Sequence, residues 1–491
     1  MNLSTPPDYS RKWLAMAAVS MGVFLGTIDG SIINVSLPTM MAALDTNFPT
    51  IQWVILGYLL TVTCLLLSMG RLADIQGKKK IYLIGFVIFT LGSMLCGLAP
   101  TAQWLVAFRV IQGIGAAMVM ALGMGIITGA FPPHERGKAL GIMGTVVSVG
   151  IAVGPALGGL LIGTIGWRAI FFVNVPIGIV GVLMVRAFVP VDRPSGRQKF
   201  DFAGAGTMFA GLLCLLLALT LGQSVGFDTP FIWALLAGFV VFLVVFLLIE
   251  ARVAQPMVDL TMFRKPSFSV GLLTGYVTFV ALGGVFILPF YLQGVLGYSA
   301  AQVGLLLSVL PIALSVTSPV SGMLSDRFGP RGLATAGLLV ITLTFLLLST
   351  LQTDTSALGY ILRIAPLGIG FGLFQSPNNS AIMGSVSKIR LGIASGLLAM
   401  SRTLGQTTGV ALFGAIFAIS AAAYAGQTGN VNVDTLPANA LVQGMHNAFF
   451  ILAVMMLTAA GISAVGLWKK WETKPEGEGQ SAPQVSPQES V

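Results

Sequence analysis

Gly70-Arg71-Leu72-Ala73-Asp74-Ile75-Gln76-Gly77 recurs 252 residues later as Gly322-Met323-Leu324-Ser325-Asp326-Arg327-Phe328-Gly329. Other landmarks return in the same order. Leu37-Pro38 comes back as Leu288-Pro289, Arg109 as Arg363, Arg136 as Arg390, and Gly150 and Gly154 as Gly405 and Gly409. The offset creeps from 251 to 255, as small loop insertions would make it. A repeat of this length makes the chain two copies of one unit, and the chemistry of the unit follows from composition.

Of the 491 residues, 55% are hydrophobic and 9% charged, with a mean hydropathy of +0.91. Soluble domains carry about 25% charged residues. So few charges cannot cover a water-exposed surface of this size, and the chain is an all-α polytopic membrane protein. About 20 apolar residues cross the hydrocarbon core. Fourteen runs qualify, at 13–37, 50–69, 81–99, 102–130, 139–163, 169–189, 203–222, 230–249, 268–292, 301–324, 332–351, 357–384, 393–422 and 446–468. The repeat pairs spans 1–6 with spans 9–14 and leaves spans 7 and 8 as an insertion. Expected boundaries are a short N-terminus (1–11), a six-helix bundle (12–190), a linker with the inserted pair (191–265), a second bundle (266–470) and a disordered tail (471–491).

Basic residues orient the chain. Of the 26 Lys and Arg, Arg168 alone falls in a loop on the side away from the termini, and Arg109, Arg363 and Arg402 fall within spans. The rest, among them Lys78–Lys80, Arg193, Arg197, Lys199, Lys388 and Arg390, sit on the side of the termini. Basic loops stay cytoplasmic, so both termini are expected inside, in a bacterial inner membrane. The first run is full length with no cleavage site after it, so it is expected to be a retained span. The net charge of +9 is spread over short clusters, which argues against nucleic acid. Cys64, Cys96 and Cys214 all lie in apolar runs and imply no disulfide framework. His134 and His446 stand apart without a ligand cluster, and no P-loop is present, so no cofactor, metal or ATP is expected and an ion gradient must drive any transport.

Two stretches carry chemistry. In Thr27-Ile28-Asp29-Gly30-Ser31-Ile32-Ile33-Asn34, Asp29 sits mid-span, where an acid costs about 2.5–3.5 kcal/mol to insert. Neighbours such as Ser31 or Asn34 could simply satisfy it. Alternatively it exchanges protons, with Arg109 of span 4, one turn from Gln112, as its counter-charge or proton-modulating neighbour. Val280 holds the corresponding place in span 9, so the helix shape does not require the acid. Glu250, at the end of span 8, is expected within reach of water. In span 5, Gly150, Gly154 and Gly158 lie four apart and make a smooth face for close helix contact. Gly159 lies beside them, and Pro155 withholds a backbone donor and favours a bend. Packing or conformational gating would each explain that face.

The chain resembles the major facilitator superfamily, and within it the fourteen-span drug:proton antiporter family. The resemblance covers residues 12–470 and rests on GRLADIQGKKK with its echo GMLSDRFGPRG, RVIQGIGAA from Arg109, GTVVSVGIAVGPALGG from Gly144, and TIDGSIINVSLP. It implies the major facilitator fold, two pseudo-symmetric six-helix bundles plus two inserted helices. It also implies alternating access driven by the proton gradient. Gly70, Asp74, Gly77, Asp326 and Arg327 would latch the halves, although Ile75 stands where the family usually has a basic residue. The span-5 glycines would seal the contact between halves. Asn34, Tyr58, Gln112, Phe286, Tyr291, Gln293, Asn378 and Asn379 would line a substrate cavity. The expected partners are membrane lipids, protons and an amphipathic or cationic small molecule, with a monomer sufficient. Export of an endogenous lipid, siderophore or antibiotic, and a non-transporting sensor or scaffold, are the rival readings.

Overall fold

The computed structural model describes residues 10–132, 135–191, 201–253, 258, 260–386, 391–427 and 436–468. Expectations placed on His134, Arg193, Arg197, Lys199, Lys388, Arg390 and the tail from 471 fall outside these residues. So do those on the side chains of Asp74, Arg136, Lys138 and Asp326.

Fourteen helices among the described residues are long and apolar enough to cross a membrane, and no strand occurs among those residues. In the first copy they are Lys12–Ala43, Phe48–Gln76, Lys78–Leu98, Ala102–Ala130, Arg136–Thr164 and Ala169–Phe188. The inserted pair is Phe202–Val225 and Pro230–Glu250. The second copy comprises Pro266–Val295, Ala300–Phe328, Pro330–Leu348, Ala357–Gly384, Leu391–Tyr424 and Ala438–Trp468. These are spans 1 to 14.

Three ends differ from expectation. Span 1 continues through Pro38 to Ala43, because one missing donor does not stop a helix whose Leu37, Met40 and Met41 are buried. Span 14 starts at Ala438, eight residues before the apolar run; Gln443, His446 and Asn447 dilute its hydropathy while Val442 and Met445 are buried. The repeated stretch 70–77 is helical up to Gln76 and only Gly77 turns, with φ +100° and its N–H donating to Ala73 O at 2.8 Å. Gly329 does the same with φ +84° and a 2.9 Å bond to Ser325 O. Each position needs a residue without a Cβ, and that is why both copies end on glycine.

The two copies pack alike. Span 1 lies on spans 5 and 6, span 2 on span 4, and span 3 on spans 4 and 6. Likewise span 9 lies on 13 and 14, span 10 on 12, and span 11 on 12 and 14. The halves meet crosswise through spans 5 and 10 and through spans 2 and 13, and span 7 of the insertion packs on both span 2 and span 13. Span 8 has the highest mean hydropathy, 3.1, and exposes Trp233, Val240, Val241 and Leu248, so it faces lipid. Its terminal Glu250 is buried at 3% exposure, and Val258 N–H donates to Glu250 Oε2 at 3.1 Å. The expectation that water reaches this acid is therefore corrected.

On the side away from the termini the halves are closed on each other. A Cβ on Gly159 of span 5 would stand 3.0 Å from Gly304 Cα of span 10, beside the Ala300 carbonyl. Gln293 Nε2 donates to Val35 O at 3.0 Å, and Thr39 Oγ1 donates to Gln293 Oε1 at 3.2 Å. Phe48 packs on Phe286, Phe290 and Phe417 with ring centroids 5.9, 4.9 and 5.6 Å away. Toward the termini the span 5 contact is not continued, and a Cβ on Gly141 or Gly144 would meet nothing within 4 Å.

Candidate functional site

Asp29 is 1% exposed and Arg109 is 0% exposed. Arg109 Nη1 donates to Asp29 Oδ2 at 2.6 Å, an ion pair joining spans 1 and 4. The other carboxylate oxygen, Oδ1, accepts from Gln112 Nε2 at 2.9 Å and from Asn174 Nδ2 at 3.1 Å. Arg109 also donates from Nε to Val54 O at 3.0 Å and from Nη1 to Gln112 Oε1 at 2.8 Å. Its guanidinium carbon lies 4.2 Å from the Tyr58 ring centroid and 5.9 Å from that of Phe171. Asn174 extends the network to Ser93 Oγ at 3.0 Å, and Ser93 donates to Phe171 O at 2.9 Å.

The local sequence explains how five spans converge. A Cβ at Gly92 of span 3 would lie 2.7 Å from Gln112 Cα, so only glycine lets spans 3 and 4 approach at the level of the amide. Gly113 of span 4 faces Thr61 and the Tyr58 carbonyl of span 2 in the same way. An Arg in a membrane interior keeps its charge. Here it is neutralised by a carboxylate, and the carboxylate accepts three donors. The site is thus a closed polar core within the first bundle.

The expected pair Asp29 and Arg109 comes together, while Gln112 and Tyr58, expected to line a substrate cavity, are instead part of this closed core. Ser31 and Asn34 do not serve Asp29: Ser31 Oγ donates to Ile28 O at 3.1 Å and to Gly150 O at 3.2 Å, and no contact joins Asn34 to the carboxylate among the described residues. Asn174, Ser93 and Cys96, whose thiol sits 3.7 Å from Gln112 Oε1, were not singled out. Asn174 is the lone amide of span 6, and that is the one signal that could have flagged it.

The remaining expected cavity residues scatter. Phe286 belongs to the aromatic closure around Phe48, and Gln293 clasps span 1. Tyr291 donates to Gln352 O at 2.6 Å, and Asn378 donates to Gly271 O at 3.0 Å inside the second bundle. Asn379 accepts from Arg402 Nη2 at 2.8 Å. Arg363, the repeat mate of Arg109, donates to Thr350 Oγ1 and Gly359 O near the start of span 12, with no acid beside it among the described residues. His446 bonds the Leu351 carbonyl.

The smooth face of span 5 also needs correction. Gly150, Gly154 and Gly158 press on Thr27, Ser31 and Ile32 of span 1, within one bundle, and do not face the other half. Gly405 and Gly409 press likewise on Tyr276, Phe279 and Val280 of span 9. The contact between halves is made by Gly159 and the Pro155 carbonyl, which faces Gly304. Pro155 stands inside a continuous helix.

Sequence comparison matches the Major Facilitator Superfamily over residues 19–202 and 200–410. The chain belongs to that superfamily; it is a multi-pass transporter, not an enzyme. It is 35% identical over 415 residues to the riboflavin transporter RibZ of Clostridioides difficile, covering 84% of this chain and 89% of that protein. It is 30% identical over 418 residues to the multidrug transporter protein MdtP of Bacillus subtilis, covering 85% and 77%. The fold is shared with a bacterial homologue of the human lysosomal transporter Spinster, at TM-score 0.65 and 18% identity over 94% of this chain and 97% of that one.

Proposed function

We propose that the protein exports amphipathic small molecules in exchange for protons, by alternating access between its two bundles. The observation that carries this reading is the Asp29 carboxylate, buried mid-span and held by Arg109, Gln112 and Asn174. Protonating Asp29 removes the charge that neutralises Arg109 and releases the ion pair that ties span 1 to span 4. Span 1 also carries Val35 and Thr39, which the Gln293 clasp holds to the other half. A proton on Asp29 thus weakens the hold on a helix that takes part in closing the cavity. No resident cofactor enters the scheme. With the basic loops in the cytoplasm, the closed side faces outward and the substrate enters from within.

The resemblance implies an amphipathic or cationic substrate, and a cation would need a free carboxylate such as Asp29. That carboxylate is already neutralised by Arg109 in this state, so the reading is amphipathic rather than specifically cationic. The test is purified protein in liposomes with an imposed pH gradient and an amphipathic dye, rhodamine 6G. Gradient-driven accumulation in wild type and its loss in Asp29→Asn are expected. Coupling that persists unchanged in Asp29→Asn refutes the role given to this residue. A second reading, transport of an endogenous compound, is supported by the 35% identity to a riboflavin transporter. Movement of riboflavin without movement of the dye would decide for it.

A further inference from the structure

The second bundle carries a charge that the proton scheme does not use. Arg402 lies about a third of the way along span 13, and among the described residues no carboxylate pairs with it. Its Nη2 donates to Asn379 Oδ1 of span 12 at 2.8 Å, and its guanidinium carbon lies 5.6 Å from the Phe279 ring centroid of span 9. The Phe279 ring is itself met edge-on by Phe371 at 6.5 Å. Nε is buried without an acceptor. An Arg offers five donor hydrogens in a rigid planar fork and does not shed its charge.

Helix geometry places this fork. Along one edge span 13 packs on span 9 through Gly405 and Gly409; along the opposite edge it packs on span 2, through Gly396 against Leu67 and Gly414 against Gln52. At about 100° per residue, two sides remain between these edges. Leu397, Met400 and Leu404 occupy one, where they line an apolar cavity of about 420 Å³ beside the inserted pair. Ser395, Ala399, Arg402 and Gln406 fall on the other. Ser395 on this stripe is exposed. An uncompensated, donor-rich cation with an aromatic ring beside it, on a stripe that reaches exposed Ser395, suits a planar molecule carrying an anionic oxygen.

We infer that Arg402, with Asn379 and Phe279, forms the seat for the anionic group of an aromatic amphipathic substrate, such as a carboxylate or phenolate. The inference deepens the proposed export function and rests on it for physiological meaning. The seat itself is testable by binding alone. Two xanthene dyes of similar ring system, anionic fluorescein and cationic rhodamine 6G, are titrated into the purified protein in nanodiscs, with anisotropy as readout.

Fluorescein is expected to bind saturably. Arg402→Gln, which keeps an amide beside Asn379, is expected to weaken it about ten- to hundredfold, the scale of a lost charge-assisted hydrogen bond. Arg402→Lys keeps the charge but not the fork and should fall between. Rhodamine 6G affinity should change little. Unchanged thermal melting of Arg402→Gln confirms that the fold is kept. No saturable fluorescein binding to wild type, or equal affinity in Arg402→Gln, overturns the assignment. Complete displacement of fluorescein by chloride at physiological strength also overturns it, since the seat would then hold an inorganic ion. Proton-driven transport of rhodamine 6G is measured in parallel. If it survives while the fluorescein result fails, only the Arg402 seat falls.

Discussion

Replacing Asp29 by Asn keeps the side-chain volume and removes one charge. Both partners of the pair are essentially unexposed, and their 2.6 Å contact leaves no room for water between them. Arg109 would then be a buried cation with only Val54 O, Gln112 Oε1 and an amide oxygen to answer it. Breaking a buried pair from one side costs about 3–5 kcal/mol, because the uncompensated charge stays behind. For a cooperative unit of the size of the first bundle, 1 kcal/mol moves the melting temperature by about 2–4 °C, so the expected drop is about 6–20 °C. Melting in detergent, followed by loss of the monodisperse chromatographic peak, measures it. The same loss should appear in Arg109→Gln, where the carboxylate is stranded. The double variant Asp29→Asn/Arg109→Gln removes both charges and should recover most of the loss. A single variant that melts within about 1 °C of wild type, below what 1 kcal/mol would give, would refute the buried pair as a structural tie. So would a double variant whose loss equals the sum of the singles.

The other expectations are narrower. Asn174→Leu removes donors from Asp29 Oδ1 and Ser93 Oγ, and should lower stability by about 1–3 kcal/mol, less than Asp29→Asn, in the same melting assay. Gly159→Val drives a side chain into the Ala300 carbonyl and Gly304, so the closed side cannot form; spin labels at Thr164→Cys and Tyr298→Cys, without the native cysteines, should report longer distances. Gly154→Val strikes Ser31 and Ile32 within one bundle and should instead reduce the yield of folded protein. Lys12→Ala removes a half-exposed 2.6 Å pair with Glu135 and should cost less than about 1 kcal/mol, leaving the melting temperature nearly unchanged.

Much of the architecture is legible in the residues because a membrane imposes a simple rule on them. Each span must be long and apolar, so fourteen spans can be counted, and the turn glycines Gly77 and Gly329 mark equivalent places in the two copies. What a helix face touches is not written in its own periodicity. The glycines of span 5 announce a smooth face, yet whether span 1 or span 10 fills it depends on rotation about the helix axis. Gly150, Gly154 and Gly158 took the first partner, and Gly159, one residue on, took the second. The same limit hid Asn174 and Ser93. A single polar residue in an apolar span looks alike whether it bonds its own backbone or reaches a carboxylate on another helix. Glu250 is hard to place for a related reason, since the backbone N–H that it accepts from belongs to Val258, eight residues on.

The asymmetry of the two halves follows from the same physics. Their helices pack in matching pairs, so backbone shape does not distinguish them. Polar content does. The first bundle invests its interior charges in one neutral, hydrogen-bonded pair, which a proton can unbalance. In the second, Val280 replaces the acid and packs against Gly409, Arg363 lies near the start of its span, and Arg402 carries a charge without a countercharge among the described residues. An uncompensated cation in a membrane interior is stable only while water or an anion attends it. Closing both sides around an empty Arg402 would therefore be disfavoured, and closing around an anion would not. Under the proposed exchange, that difference would link occupancy of the second half to the cycle, while Asp29 in the first half would link it to protons.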